Sequence, residues 1–175
     1  MRSVTLITTG GTIEKTYDEM TGELSNRRSV VRRMLRRVRL EDTSVSIVEL
    51  LSKDSLHMTE DDRGTIVDAC RAAGAERAGL EAGTGIVVLH GTDTLTLTGE
   101  RLHRELRSLR IPIVLTGAMR PFEMIRSDAL QNLTEAIFAT GLLEPGVYCA
   151  AHGRVLKFPG VRKDRDQGTF VKDSH

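Results

Sequence analysis

The sequence has few of the residues on which several classes of protein depend. Only two cysteines occur, Cys70 and Cys149, and they lack CxxC spacing, so neither a disulfide framework nor a zinc site is indicated. No apolar run approaches the ~20 residues that a membrane-spanning helix requires. The formal net charge is only +1, which gives no overall attraction to a polyanion. These absences predict a soluble protein of a reducing compartment, without a membrane or nucleic-acid partner.

Arginine is locally abundant, because residues 27–39 contain seven of them. Apolar residues recur between the arginines at helical spacing, which predicts an amphipathic helix with a solvated basic face. Aromatic residues, only 3% of the chain, do not interleave the arginines as stacking on single-stranded nucleic acid would require. Contact with RNA is the alternative interpretation. The apolar positions are Val30, Val31, Met34, Leu35 and Val38.

Short β-branched and aliphatic runs alternate with longer segments of helical period, a pattern typical of a parallel sheet covered by helices. The first run begins at Val4, after a single arginine, which leaves no room for a signal peptide and predicts a cytoplasmic protein. The length and the absence of linkers and repeats predict one α/β domain over residues 1–175. The predicted strands are residues 4–8, 45–50, 86–90, 113–116 and 147–151.

Local signals place the helices. Thr59 can cap the free amides of a helix whose first turn is acidic, and Cys70 then falls on the apolar face as a core residue. Further helices are predicted over residues 98–109 and after Ser127. Residues 161–175 are charged and non-periodic, so composition alone predicts a loose end there.

The loops after three of the predicted strands combine glycine with hydroxyl or charged side chains. Ligands bind at the carboxyl ends of strands in open parallel sheets, so these loops form the candidate site. Gly10 and Gly11 precede neither a helix nor a complete phosphate-binding motif, which leaves a simple turn as the alternative to an anion site. The loops read Thr8-Thr9-Gly10-Gly11-Thr12-Ile13, His90-Gly91-Thr92-Asp93-Thr94 and Thr116-Gly117-Ala118-Met119-Arg120-Pro121.

Thr92 and Asp93 place a hydroxyl and a carboxylate side by side at a strand end. Such a pair can activate a nucleophile or a water, or it can serve only as a turn or a helix cap. His90 ends the preceding strand and is expected to face the sheet rather than to act as a base, since no serine elbow or second histidine accompanies it.

Taken in order, these motifs resemble those of the bacterial-type L-asparaginases. Thr9-Gly10-Gly11-Thr12-Ile13 and His90-Gly91-Thr92-Asp93-Thr94 are similar to the two signatures of that family, and Gly117-Ala118-Met119-Arg120-Pro121, Ser127-Asp128 and Asn132-Leu133 are similar to its next block. The resemblance covers essentially the whole chain, but only the N-terminal domain of the usual two-domain enzyme. It implies a flavodoxin-like parallel sheet with helices on both faces.

The resemblance also implies residue roles. Thr12 would attack the side-chain amide of asparagine and form an acyl-enzyme, while Thr92, Asp93 and a lysine move protons. The lysine is carried to Lys163, in Val161-Arg162-Lys163 after Gly153-Arg154, with Lys157 as the alternative. Tyr17 is the only tyrosine in the loop that follows the first motif, where the family has a tyrosine that assists the threonine.

For substrate binding the resemblance implies Gly11, Ser55, Gly91, Asp93 and Ala118. Leu56 departs from the polar residue that commonly follows the family's serine, which affects how the substrate's charged groups are held. No cofactor or metal is required by this chemistry. A homo-oligomer, either a dimer or a tetramer, is expected.

The function implied is hydrolysis of L-asparagine to L-aspartate and ammonia. One alternative is the amidase subunit of a tRNA-dependent amidotransferase-like complex, although the additional N-terminal domain of that subunit is absent. A second alternative is a domain that binds asparagine or aspartate as a sensor without catalysis. Retention of the candidate residues Thr12, Thr92, Asp93 and Lys163 favours an enzyme.

Overall fold

The computed structural model describes residues 1–173 and contains ten strands and four α-helices within them. The strands are β1 (Arg2–Gly10), β2 (Thr16–Asp18), β3 (Glu23–Ser25), β4 (Thr43–Lys53), β5 (Gly85–Leu89), β6 (Pro112–Thr116), β7 (Gly146–Ala151), β8 (Arg154–Lys157), β9 (Val161–Asp164) and β10 (Thr169–Lys172). The helices are α1 (Val31–Leu35), α2 (Glu60–Ala72), α3 (Leu95–Glu105) and α4 (Ala129–Thr140).

The central sheet has six strands in the order β4-β1-β5-β6-β7-β8. The first five run parallel, and β8 pairs antiparallel with β7. Strands β5, β6 and β7 are buried along their whole length, as expected for parallel strands covered on both faces. All five strands predicted from sequence are confirmed, with small changes at their ends.

Two apolar clusters lie on opposite faces of this sheet. On one face Ile7 packs with Ile66 of α2 and Leu102 of α3. On the other, Leu6 packs near Leu133 of α4, together with α1. Alternate residues of β1 thus enter different clusters, which follows from the two-residue period of a strand. The predicted α/β class with helices on both faces is therefore confirmed.

Helix α2 begins as its sequence indicates. The Thr59 hydroxyl accepts from the amide of Asp62 at 3.2 Å, and the Thr59 amide donates to the Asp62 carboxylate at 2.9 Å. This reciprocal capping box satisfies amides that the helix itself leaves unpaired. Cys70 lies fully buried on the inner face, where burial raises the pKa of its thiol to about 12. The prediction of a core cysteine is confirmed.

The arginine-rich segment forms a shorter helix than its periodicity predicts. Helix α1 spans only Val31–Leu35, with Val31 and Met34 buried. The guanidinium carbons of Arg33 and Arg37 lie 5.7 and 5.2 Å from the centre of the Phe122 ring. These two guanidinium groups thus lie over an aromatic ring while their side chains remain exposed to solvent. Among residues 1–173, no helix has the length and apolarity needed to cross a membrane.

Within the segment expected to be a loose end, residues 161–172 form an ordered hairpin, so that expectation is wrong for them; residues 174 and 175 lie outside the described residues. Strands β9 and β10 pair antiparallel, and Val161 and Phe170 enter the same apolar cluster as α2 and α3. The composition does not indicate a hairpin because only a few of its residues face inward, while the others are charged and solvated. Phe158, just before the hairpin, packs so tightly that a β-carbon on Gly99 would lie 2.1 Å from its ring.

We therefore predict that the hairpin contributes to global stability. Phe170 is 2% exposed, whereas Phe138 on α4 is 59% exposed and provides a matched control. Phe170→Ala should lower the free energy of unfolding by ~3–5 kcal/mol, because it leaves a cavity in the core. Phe138→Ala should lower it by less than about 1 kcal/mol. Urea unfolding of both variants measures the difference, and equal small losses would show that the hairpin does not belong to the core.

Candidate active site

Loops after several strands converge at one edge of the sheet because glycines let their backbones approach closely. A β-carbon on Gly11 would lie 2.4 Å from Cα of Gly91, and one on Gly91 would lie 2.5 Å from Oγ of Ser55. A β-carbon on Gly117 would lie 2.3 Å from the carbonyl oxygen of His90. Any side chain at these positions would separate the loops. Gly11 in addition has a φ of +80°, which L-residues rarely adopt.

Thr12 opens a short 3-10 turn, Thr12–Glu14, directly after β1. The turn is held from several sides: the amide of Gly11 donates to the carbonyl of Lys53 at 2.8 Å, and Asn26 Nδ2 donates to the carbonyl of Gly11 at 2.8 Å. The amide of Gly10 donates to the carboxylate of Glu14 at 3.2 Å. Since both glycine amides are engaged within the chain, the turn interpretation is favoured over a phosphate cradle.

The ammonium group of Lys163 joins the second loop to the C-terminal hairpin. Its Nζ donates to Oγ1 of Thr92 at 2.8 Å and to Oδ1 of Asp93 at 2.9 Å. The Lys163 side chain is only 15% exposed. Arg165 Nη1 lies 3.0 Å from the same Asp93 oxygen. The hydrogen bond from Lys163, assisted by the charges of both cations, lowers the pKa of Asp93, so its carboxylate is ionised at neutral pH.

Lys157, the alternative lysine, lies elsewhere. It is on β8, the outermost strand of the sheet next to β7, and its Nζ lies 5.7 Å from the centre of the Tyr148 ring. The structure therefore brings Lys163, and not Lys157, to Thr92. This geometry removes the ambiguity about which lysine is adjacent to the candidate loop.

Ser55 and Ala118 are both buried at the same edge of the sheet. The carbonyl of Ser55 accepts from the hydroxyl of Thr94 at 2.8 Å, which ties the segment after β4 to the second loop. Asp54, beside Ser55, forms an ion pair of 2.6 Å with Lys15, and this hydrogen bond lowers the pKa of the Asp54 carboxyl. The segment carrying Ser55 is thus anchored to the turn that carries Thr12.

Tyr17 lies apart from the other candidates. It is on the β2–β3 hairpin with 58% of its surface exposed, and its amide donates to Glu123 at 3.1 Å. Within residues 1–173, no hydrogen bond joins its hydroxyl to Thr12. Leu56, at 63% exposure, likewise faces solvent.

His90 has a structural environment. It is fully buried; its Nδ1 lies 2.9 Å from the carbonyl oxygen of Gly91, and its Nε2 lies 2.8 Å from Oγ1 of Thr98. A carbonyl can only accept, so Nδ1 carries the proton and Nε2 accepts from the threonine hydroxyl. Burial lowers the pKa of His90 to about 4. The expectation that it faces the sheet is confirmed.

Sequence reasoning missed three groups near this site. Glu14 is buried beneath the first loop, where it accepts from Gly10 and contacts the hydroxyl of Ser29. Arg165 adds a second cation to Asp93, and His152 joins the third loop to the C-terminal hairpin. None of the three belongs to a motif, and their partners are distant in sequence or lie in loops. The one sequence signal that could have indicated a role for Glu14 is its position directly after an apolar residue in a glycine-containing turn.

Comparison with known proteins places this geometry in a family. The family model described as "Asparaginase, N-terminal" matches residues 3–169. An L-asparaginase of Thermococcus kodakarensis is 31% identical over 160 residues, which are 91% of this chain and 47% of that protein. A glutamyl-tRNA(Gln) amidotransferase component of Saccharolobus solfataricus is 42% identical over 66 residues, which are 38% of this chain and 15% of that protein.

Solved structures agree with the family match. The thermostable L-asparaginase from Thermococcus kodakarensis superposes with a TM-score of 0.83 at 30% identity, covering 97% of this chain and 51% of that one. A probable cytoplasmic L-asparaginase from Campylobacter jejuni gives a TM-score of 0.78 at 23% identity, covering 98% and 52%. The second match supports the fold alone. The chain spans about half the length of the full-length relatives that it matches.

The buried carboxyl of Glu14 leads to a prediction of how the stability of the fold depends on pH. Burial raises the pKa of Glu14 above its ordinary value of 4.5, against the opposing hydrogen bonds from Ser29 and Gly10. A raised carboxyl pKa means that the folded chain binds the proton more tightly than the unfolded chain. Its stabilising contribution is therefore present below pH 4.5 and is lost as pH rises through the raised value.

Glu14→Gln removes this titration while keeping an oxygen that can accept from Gly10. We expect the variant to gain stability relative to the parent protein at pH 8, with the gain vanishing as pH falls toward 4.5. Urea unfolding across this range measures it. Glu19→Gln, at an exposed position, is the control. A gain for Glu14→Gln that does not change with pH would contradict the assignment of a buried titrating carboxyl.

Proposed function

Because this chain belongs to the asparaginase family, we propose that it hydrolyses L-asparagine to L-aspartate and ammonia, with Thr12 as the nucleophile. The observation that carries the proposal is the contact of Lys163 Nζ with both Thr92 Oγ1, at 2.8 Å, and Asp93 Oδ1, at 2.9 Å. A hydroxyl is a weak nucleophile and a poor proton carrier unless charged neighbours position and polarise it. Here a hydroxyl, a carboxylate and an ammonium group meet at the carboxyl end of the sheet.

Asp93 is proposed to bind the α-ammonium group of the substrate. Lys163 and Arg165 both contact its Oδ1, so Oδ2 can accept from a further cation. The lowered pKa keeps the carboxylate charged at neutral pH. Ser55, buried beside the second loop, is proposed to hold the α-carboxylate through its hydroxyl. These two contacts would fix where the side-chain amide lies.

The reaction is proposed to proceed in two steps, formation of an acyl-enzyme and its hydrolysis. The oxygen of Thr12 bonds to the amide carbon, the carbon–nitrogen bond breaks, and the hydroxyl proton passes through Thr92 and Lys163 to the nitrogen that leaves as ammonia. Water then attacks the ester, returns a proton to Thr12 and releases aspartate. Since the amides of Gly10 and Gly11 are engaged, we propose the amide of Thr12 as one donor to the oxyanion, a contribution often worth ~3 kcal/mol.

Two further aspects remain proposals. A cytoplasmic location is proposed from the reduced cysteines, and the Campylobacter jejuni neighbour is described as a probable cytoplasmic L-asparaginase. A single domain assembled as a homo-oligomer is proposed because Phe138 on α4, Leu142 in the turn after it and Val155 on β8 expose apolar surface beside one another.

The amidotransferase relative supports a second candidate function. Its 42% identity is higher than that of the full-length asparaginase but is confined to 66 residues. In that case the ammonia would be transferred within a complex and not released. Free ammonia from asparagine, produced by this chain alone at a rate proportional to enzyme, distinguishes hydrolysis from this function and from a sensor without catalysis.

We predict that Lys163, which contacts Thr92, is the catalytic lysine, and that Lys157 is not. Lys163→Met should lower kcat by ~10²–10⁴-fold, the usual range for loss of a proton-transfer group. Lys157→Met removes the same charge from β8 and should leave kcat near that of the parent protein. Thr12→Ala and Thr92→Ala should abolish turnover with the circular dichroism spectrum unchanged. Normal ammonia release by Lys163→Met, or by folded Thr12→Ala, would contradict the proposal.

We also predict a preference for asparagine over glutamine. If Asp93 and Ser55 fix the α-substituents, the extra methylene of glutamine displaces its amide carbon from Thr12 by about a bond length. A misplacement of ~1 Å can lower a rate on the order of a hundredfold. Steady-state kinetics with both amides tests this. Equal kcat/KM for the two substrates would show that the α-substituents do not set the position of the amide.

A further inference from the structure

His152 occupies the tight turn between β7 and β8 and contacts two other elements, the N-terminal end of α4 and strand β10. Its Nε2 lies 2.7 Å from Oδ2 of Asp128, and its Nδ1 lies 3.1 Å from Oγ1 of Thr169. Its backbone amide donates to Oδ1 of Asn132 at 3.1 Å. The turn holds His152 at a φ of +53°, a conformation in which, besides glycine, mainly asparagine, aspartate and histidine are enriched. The side chain is thus held at both ring nitrogens and at its backbone.

On one side, His152 contacts the residue that shapes the third loop. The carboxylate of Asp128 accepts from the amides of Met119, at 3.0 Å, and Arg120, at 3.0 Å. Asn132 Nδ2 adds a bond to the same carboxylate and another to the carbonyl of Gly117. Although burial opposes it, the bonds from Met119 and His152 lower the pKa of Asp128, so the carboxylate is charged. The loop carrying Ala118 is therefore folded around Asp128.

On the other side, His152 contacts the hairpin that carries Lys163. Thr169 lies on β10 opposite Asp164, and the next pair of the ladder is Phe170 with Lys163. Thr169 is buried, and its hydroxyl also lies 3.4 Å from Nη2 of Arg154, a donor. The threonine oxygen therefore accepts from Arg154 and its hydrogen can point to Nδ1. This leaves the proton of a neutral imidazole on Nε2, where it donates to Asp128.

We propose that His152 is a positioning residue that fixes the Lys163 hairpin relative to the Ala118 loop, so that the ammonium group reaches Thr92. The inference rests on the proposed asparaginase function for its kinetic part. His152 touches none of the candidate reacting groups and acts through Lys163. Residues 117–120, which include the candidate substrate-binding residue Ala118, and residues 161–172, which supply the lysine, are distant in sequence. The His152 bridge between Asp128 and Thr169 is a direct polar connection between them.

Two variants remove the bridge at different ends. His152→Asn tolerates the left-handed backbone but has a shorter side chain, and Thr169→Val removes only a hydroxyl from a strand. Each should lower kcat by ~10–100-fold, the effect of displacing a reacting group by up to ~1 Å, while KM changes by less than about threefold. His152→Gln, whose terminal amide can donate to Asp128 without restoring the contact with Thr169, should lower kcat about as much as Thr169→Val does. His103→Asn, an exposed position on α3, is the matched control.

Amide hydrogen exchange supplies a readout that does not depend on activity. Exchange in residues 161–172 should accelerate in His152→Asn and Thr169→Val, while residues 85–89 of β5 stay as protected as in the parent protein. Unchanged exchange in the hairpin overturns the proposal even if the chain proves to be no asparaginase. Unchanged kcat in both variants, or a loss of protection that extends equally to β5, also overturns it. Absence of ammonia release by the unmodified chain would refute the proposed function and leave the exchange test intact.

Discussion

The hydrogen bonds from Lys163 to Thr92 and Asp93 join residues 71 and 70 positions apart, and most of the site depends on them. A lysine side chain that is mostly withdrawn from water needs compensation for its charge, which Asp93 supplies. Asp93 in turn receives a second cation from Arg165. The hairpin that presents Lys163 is held by Phe170 in the core and by Thr169 at His152. Apolar packing and polar contacts thus act together to bring one ammonium group to the end of the sheet.

The same edge of the sheet is arranged so that backbones, and not only side chains, meet. Gly11, Gly91 and Gly117 allow approaches that any β-carbon would prevent. Glu14 uses a buried carboxyl to hold the amide of Gly10, and Asp54 pairs with Lys15 to tie the Ser55 segment to the Thr12 turn. Ion pairs and hydrogen bonds within the protein therefore hold the charged and ionisable groups in and around the proposed site. Such pairing fixes the loops in one geometry before a substrate arrives, which is the condition for effective positioning.

Much of this could be predicted from the sequence, because parallel strands are apolar along their length and glycine-rich motifs follow them directly. The five central strands, the capped α2 and the buried His90 and Cys70 are confirmed. The hairpin of residues 161–172 could not be predicted, because its two short strands carry charges on their exposed faces and bury few residues. The Asp128–His152–Thr169 contacts depend on pairings between distant segments, which a sequence pattern does not encode. The family resemblance pointed to Lys163 with Lys157 as the alternative, and the three-dimensional arrangement brings Lys163 to Thr92.

If the amine of Lys163 takes part in the reaction, a small amine supplied from solution should replace it. Lys163→Ala should form aspartate from asparagine very slowly. Because the native side chain is 15% exposed, a primary alkylamine such as ethylamine can enter the space that the lysine leaves. We expect aspartate formation by Lys163→Ala to rise with amine concentration, whereas Thr12→Ala should show no response. Full activity of Lys163→Ala without added amine, or an equal response of both variants, would contradict this role of the Lys163 amine.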